Sequence, residues 1–186
     1  MSDVAIAYLD AGFALTEIPL GKKGPTHKGW NLRSGAMTRE RAAQLNGSNI
    51  GLLHAFSTPV TCTVDVDDYP KAREWLRARG VDLDALMIAP DAVRISSGTI
   101  DHEKLLYLAP RLLRTVRVAE AGLELRMAAA DGSSVQDLLP DSTHPSGRTY
   151  RWVGDFTKLV MLPQAMRRYL GITGGRGTEK QRESRR

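Results

Sequence analysis

Cysteine is nearly missing from this chain: Cys62 is the only one in 186 residues, so no internal disulfide can staple the fold. Long apolar runs are missing too. No stretch reaches the roughly 18 residues that a membrane-crossing helix needs. The first residues include Asp3 and Asp10 and lack a basic segment followed by an apolar one, so no secretory signal is expected. A cytoplasmic protein is the expectation that fits these absences. A uniform excess of positive charge is also lacking. The formal charge is +5, but residues 171–186 hold five Lys/Arg against two Glu, and residues 1–170 hold 21 basic and 19 acidic side chains. That excludes a uniformly basic nucleic-acid coat. Charge is instead placed locally, with Lys22, Lys23, Lys28 and Arg33 close together and Asp65, Asp67 and Asp68 elsewhere. Such separation suits a site that handles metal ions and phosphates, and equally an ordinary solvated surface.

What is present supports one folded domain. A hydrophobic content of 42% is enough for a core at this length. Helical periodicity covers 3–11, with Ser2 as cap and Gly12 as stop, and a strand is expected at 13–20. A Lys-rich Gly/Pro connection (GKKGPTHKGW) follows, then a helix from Thr38 to Gly47. NIGLLHA and TCTVDVD read as strands. Asp68 is placed to cap a helix with Pro70 in its first turn, Ala72, Trp75 and Leu76 on one face, and Gly80 as stop. Short strands are expected at 93–97, 103–108, 122–127, 134–139 and 149–153, and a last helix from Pro163 to about Gly171. Residues 172–186 are poor in apolar residues and read as a flexible basic tail or linker after a domain spanning 1–171. Strands cluster in the middle without strict alternation with helices, so the fold class expected is α+β.

The chemistry concentrates in TCTVDVDDYP. Residues two apart on a strand face the same side, about 6–7 Å apart, so Asp65 and Asp67 project together while Val64 and Val66 face the packed side. Alone, Asp-X-Asp fits either a divalent-metal site or a solvent-facing pair. In GLELRM, Glu124 and Arg126 share a face, and Glu124 could complete a metal site, with Arg126 balancing its charge or contacting phosphate. An exposed Glu/Arg pair explains the same residues. His102 and Lys104 repeat the spacing at the start of another strand, where both could bond phosphate or lie on the surface. The loop LPDSTHPSGRTYRW carries Ser142, His144, Gly147 and Arg148, a phosphate cradle or a connecting turn.

Taken in order, KKGPTHKGW, NIGLL, the strand ending in DVDD, SSG…HEKLLY and ELR…LPDSTHPSGRTYRW resemble the N-terminal catalytic domain of bifunctional primase–polymerases, in the archaeo-eukaryotic primase superfamily. The resemblance spans about residues 4–170. It implies an RRM-like antiparallel or mixed sheet carrying the catalytic carboxylates, with an N-terminal α/β module packed beside it. It implies that Asp65, Asp67 and Glu124 are catalytic and hold two Mg²⁺ or Mn²⁺ ions. It makes His102 a contact of the incoming nucleotide's phosphates, and puts Asn49 and Gly51 on the nucleotide side. Two departures stand out: Ile100-Asp101 precede His102 where Ser-X-His is common, and Pro140-Asp141-Ser142 replaces Pro-Pro-Ser.

The function expected is template-directed nucleotidyl transfer in replication of a phage, plasmid or other mobile element. The substrates would be a single-stranded DNA template with primer and NTPs or dNTPs. Lys104 and Arg126 would join His102 in stabilising phosphate charge, and Ser142 and His144 would contribute to the nucleotide site. Lys22, Lys23 and Lys28 would bind DNA, with Trp30 read as packed in the core in preference to stacking on a base. Relatives of this kind often carry a helical primase or helicase domain, which this chain would need C-terminally or in trans. No membrane partner is expected. The rivals are a non-catalytic DNA-binding replication module and a metal-dependent phosphatase or nuclease.

Overall fold

The structure is a computed structural model that describes residues 1–169. The elements in chain order are α1 (Ser2–Asp10), β1 (Leu15–Ile18), α2 (Arg39–Ala43), β2 (Asn49–Leu53), β3 (Thr61–Val66), α3 (Tyr69–Arg77), α4 (Leu83–Ile88), β4 (Arg94–Ser96), β5 (Glu103–Leu108), β6 (Val116–Val118), β7 (Leu123–Arg126), β8 (Gln136–Leu138), β9 (Arg151–Val153) and α5 (Gln164–Tyr169). They form two antiparallel sheets, a three-stranded one in the order β1-β2-β8 and a six-stranded one in the order β6-β7-β3-β5-β4-β9. The class is α+β. Among the described residues, parallel pairing occurs only at isolated bridges, Leu108 with Met161 and Arg114 with Ala128.

β3 lies at the centre of the larger sheet, bonded to β5 on one side and β7 on the other. Its alternation sorts the residues by face. Cys62, Val64 and Val66 join Leu105, Leu123 and Leu125 in a buried cluster with Ala72 and Leu76 of α3 and Leu83 and Met87 of α4. The opposite face is partly covered by the N-terminal module, where Ile95 and Leu106 pack with Ala5 and Tyr8 of α1, Leu15, Ile50, Leu52 and Leu138. Asp65 lies on that same face, largely buried at the floor of a cavity.

Local chemistry explains the boundaries. Asp68 accepts a hydrogen bond from Lys71 N at 3.1 Å and caps α3, with Pro70 in the first turn. Ala72 and Leu76 are buried, while Trp75 is half-buried with the Arg79 guanidinium 3.6 Å above its ring. Thr38 caps α2. Ser2 is the first residue of α1 rather than its cap, a position that Met1 occupies without a side-chain bond. Gly12 is the stop: its φ is +85°, and a Cβ there would overlap the Thr58 carbonyl oxygen.

Several features depart from the expectation. The strand expected at 13–20 is only Leu15–Ile18, and β2 ends at Leu53 because His54–Phe56 turn into a 3-10 helix that drives His54 inward. α4 and β6 fall where no element was expected. They are six and three residues long, too short to show a period. Trp30 is half-buried and belongs to neither core cluster, so the core reading of that ring does not hold. The end of the last helix near Gly171 and the tail at 172–186 lie outside the described residues. No helix among the described residues is long and apolar enough to cross a membrane.

Candidate active site

Strand register builds the site. Asp65 on β3 lies directly opposite Glu124 on β7 and Lys104 on β5. Continuing the ladder past Val66 brings Asp67 beside His102, Nδ1 to Oδ1 3.6 Å. Asp67 is held at the strand's end by its N–H donating to Gly122 O at 2.8 Å. That approach needs glycine: Gly122 has φ +56°, and a Cβ would lie 2.7 Å from Asp68 Cβ. These side chains line a cavity of about 430 Å³ together with Arg126, Lys23, His144 and Asp137.

Charge in the cavity is tightly paired. Asp65 forms an ion pair with Lys104, and Arg126 pairs with Glu124 at 3.0 Å and approaches Asp65 at 3.8 Å. The Glu124–Arg126 pair is therefore partly buried rather than exposed, each side chain being 22% accessible. Behind it stands Asp137 of β8, in the smaller sheet, whose Oδ1 meets Lys104 Nζ at 3.1 Å and Arg126 Nε at 3.0 Å. Its Oδ2 accepts from His54 Nε2 at 2.9 Å, which leaves His54 Nδ1 to accept from the Thr61 hydroxyl at 3.0 Å.

Burial sets the titration of this cluster. It pushes Asp65 up to about 6 against the pull of Lys104, with the charge of Asp137 adding to the rise. Asp137 is buried more deeply, yet Lys104, Arg126 and the His54 hydrogen bond outweigh that burial and hold it far below the usual carboxylate range. Burial depresses His54, which stays neutral despite Asp137. For Lys104 and Arg126, burial is outweighed by Asp137 and Asp65, and both are raised.

The other expected site residues divide. His144 and Lys23 reach the cavity, and His144 is depressed by burial and by Lys23 and Arg148. Asn49, Gly51, Ser142, Lys22 and Lys28 are not among its lining residues. Asn49 is buried and clips the loop after β8, its amide donating to Thr143 O and its carbonyl accepting from Thr143 N, both at 2.8 Å. Ser142 is fully buried and bonds the backbone of Ile50. Gly51 lies within β2, where a Cβ would lie 2.8 Å from Gln136 Oε1 and from Ile18 Cδ1. Lys22 and Lys28 are exposed on the connection. Asp137 and His54 were not anticipated. The available signal was a lone carboxylate inside the apolar strand SVQDLL, but nothing local says which sheet that strand joins.

The donor set fits a hard divalent cation, since Asp65, Asp67 and Glu124 offer only carboxylate oxygens, two of them on directly paired residues. Among the described residues, no three carboxylate or imidazole groups are gathered around a common point. Lys104 and Arg126 engage Asp65 and Glu124, so a cation bound there would have to compete with them.

A comparison with curated proteins returned no match. A family model does match: bifunctional DNA primase/polymerase, N-terminal, over residues 5–165. That span takes in every strand of both sheets and all the cavity residues named above. The chain thus belongs to the bifunctional DNA primase/polymerase family, in its N-terminal domain.

Proposed function

We propose that the chain performs template-directed nucleotidyl transfer, extending a primer 3′-OH with nucleotides and releasing pyrophosphate, as the DNA primase/polymerase of a phage, plasmid or other mobile element. The observation that carries this reading is the meeting of Asp65, Asp67 and Glu124 with His102, Lys104 and Arg126 in one cavity. Acidic and basic groups side by side match what triphosphate chemistry requires.

Asp65, Asp67 and Glu124 would hold two Mg²⁺ or Mn²⁺ ions, which supply activation of the 3′-OH and neutralisation of the departing pyrophosphate. The chain's own groups do the rest. Lys104 and Arg126 hold positive charge toward the triphosphate, as a point charge and a planar fork respectively. His102, half-exposed beside Asp67, donates to a phosphate oxygen through a ring N–H. The sheet keeps these groups in register, so little reorganisation is needed as charge moves onto the leaving group. The exposed lysines Lys22, Lys23 and Lys28 supply sequence-independent contacts to template phosphates. The catalytic unit is residues 1–171, residues 172–186 serve as a tail toward a helical primase or helicase partner, and the protein works in the cytoplasm.

The test is pyrophosphate release on a primed single-stranded template with dNTPs and Mn²⁺. Pyrophosphate with primer extension supports the reading. Inorganic phosphate from a phosphate monoester, without extension, would instead mean a phosphatase. DNA binding indifferent to divalent ions and to D65A, with no turnover, would mean a non-catalytic replication module.

A further inference from the structure

Asp137 stands behind the catalytic face, and its chemistry is not that of a substrate contact. Its side chain is 3% exposed. One oxygen meets Lys104 and Arg126, and the other accepts from His54, which is itself wholly buried and bonded to Thr61. No oxygen is left for a ligand. Each of its two cations is contested. Lys104 sits between Asp137 and Asp65, and Arg126 between Asp137 and the pair Asp65 and Glu124. Without Asp137, two cations would face two cavity carboxylates and cancel them, leaving only the exposed Asp67. With it, the site keeps surplus negative charge at Asp65 and Glu124.

We propose that Asp137 is a positioning residue whose buried charge, fixed by His54, shares Lys104 and Arg126 with Asp65 and Glu124, so that the two cations do not fully neutralise those carboxylates and a divalent cation can compete for them. The inference rests on the metal-dependent reading above. It also explains why a carboxylate from the smaller sheet is built into the larger sheet's catalytic face. A role confined to joining the two sheets would use the same contacts, so the test must separate the two.

Mn²⁺ binding is measured by titration calorimetry on wild type, D137N, K104M and D137N/K104M, alongside the nucleotide KM and kcat of each. D137N is expected to weaken Mn²⁺ binding roughly tenfold or more, because Lys104 and Arg126 then neutralise Asp65 and Glu124 without a competing carboxylate, and to raise KM. Adding K104M to D137N removes a cation that presses on Asp65. Mn²⁺ affinity should then return to within about threefold of wild type, while kcat does not recover because Lys104 is gone. Unchanged Mn²⁺ affinity in D137N, or losses that simply add in the double variant, would overturn the proposal, because a sheet joint predicts reduced stability without that coupling. Should D137N fail to fold, K104M alone decides: tighter Mn²⁺ binding supports the proposal and unchanged binding overturns it. Wild type that binds Mn²⁺ while the coupling is missing defeats only this inference, whereas wild type that binds no Mn²⁺ defeats the metal-dependent reading as well.

Discussion

Asp65 and His54 show how burial tunes single residues in opposite senses. Asp65 takes up a proton near pH 6, and a carboxylate must be deprotonated to bind a metal ion. Mn²⁺ affinity should therefore fall as pH is lowered through about 6 and level off above it, as titration calorimetry at several pH values would read. His54 is held below its ordinary value of 6.5. Across that interval the unfolded chain binds a proton that the folded chain refuses, so the unfolded state carries more protons and stability rises with pH. The contribution is complete above 6.5 and is lost as pH falls through the folded value. Asp65, raised by the fold, contributes in the opposite sense over the same interval, so His54 is read by difference: the thermal midpoint of the metal-free wild type relative to that of H54Q should fall on moving from about pH 7 to about pH 5.

Elements place these residues, and some do so through a single glycine. G122A would push a methyl group into Asp68 and misplace the segment that carries Asp67. A cost of about 1–3 kcal/mol is expected for such strain, and nucleotide affinity of the folded variant should fall with it. G12A clashes more severely, with the Thr58 backbone, at a place that does not line the cavity. It should lower the thermal midpoint by a few degrees and leave nucleotide affinity unchanged. Comparing the two variants by thermal melts and nucleotide titration separates strain at the site from strain elsewhere. Local signals made much of this scale legible in the sequence: Asp68 as a cap, the alternation in TCTVDVD, and the shared face of Glu124 and Arg126 all follow from neighbours within a few positions. What was not legible lies between distant segments. His54 and Asp137 are 83 residues apart, and only the pairing of β8 with β2 brings them together. Asn49, placed on the nucleotide side by likeness, and Ser142, read as part of a phosphate cradle or a connecting turn, both tie β2 to the loop after β8, through contacts across 94 and 92 residues of sequence that no local pattern announces.

At the scale of the whole molecule, the two sheets divide the labour. The larger one presents the carboxylates, while the smaller one backs them with Asp137 and supports the lysine-rich connection, since Gln136 Nε2 donates to Lys23 O at 2.8 Å. Among the described residues these lysines have no carboxylate partner of the kind that restrains Lys104, an arrangement that suits contact with a phosphate backbone. Replacing Lys22, Lys23 and Lys28 with Ala should weaken single-stranded DNA binding and reduce the slope of log affinity against log salt by up to about 2. Fluorescence anisotropy over a salt series would read both effects. If the slope stays unchanged, the strand runs elsewhere on the surface.

Primer extension tests the central claim most directly. Wild type and D65A/D67A, prepared alike and shown to be folded, are given a primed single-stranded template, dNTPs and Mn²⁺. Extension by wild type that falls at least about 100-fold in the double variant is the expected result, since several kcal/mol of metal-dependent stabilisation would be lost. Equal extension by both proteins would contradict the assignment of catalysis to the β3 carboxylates.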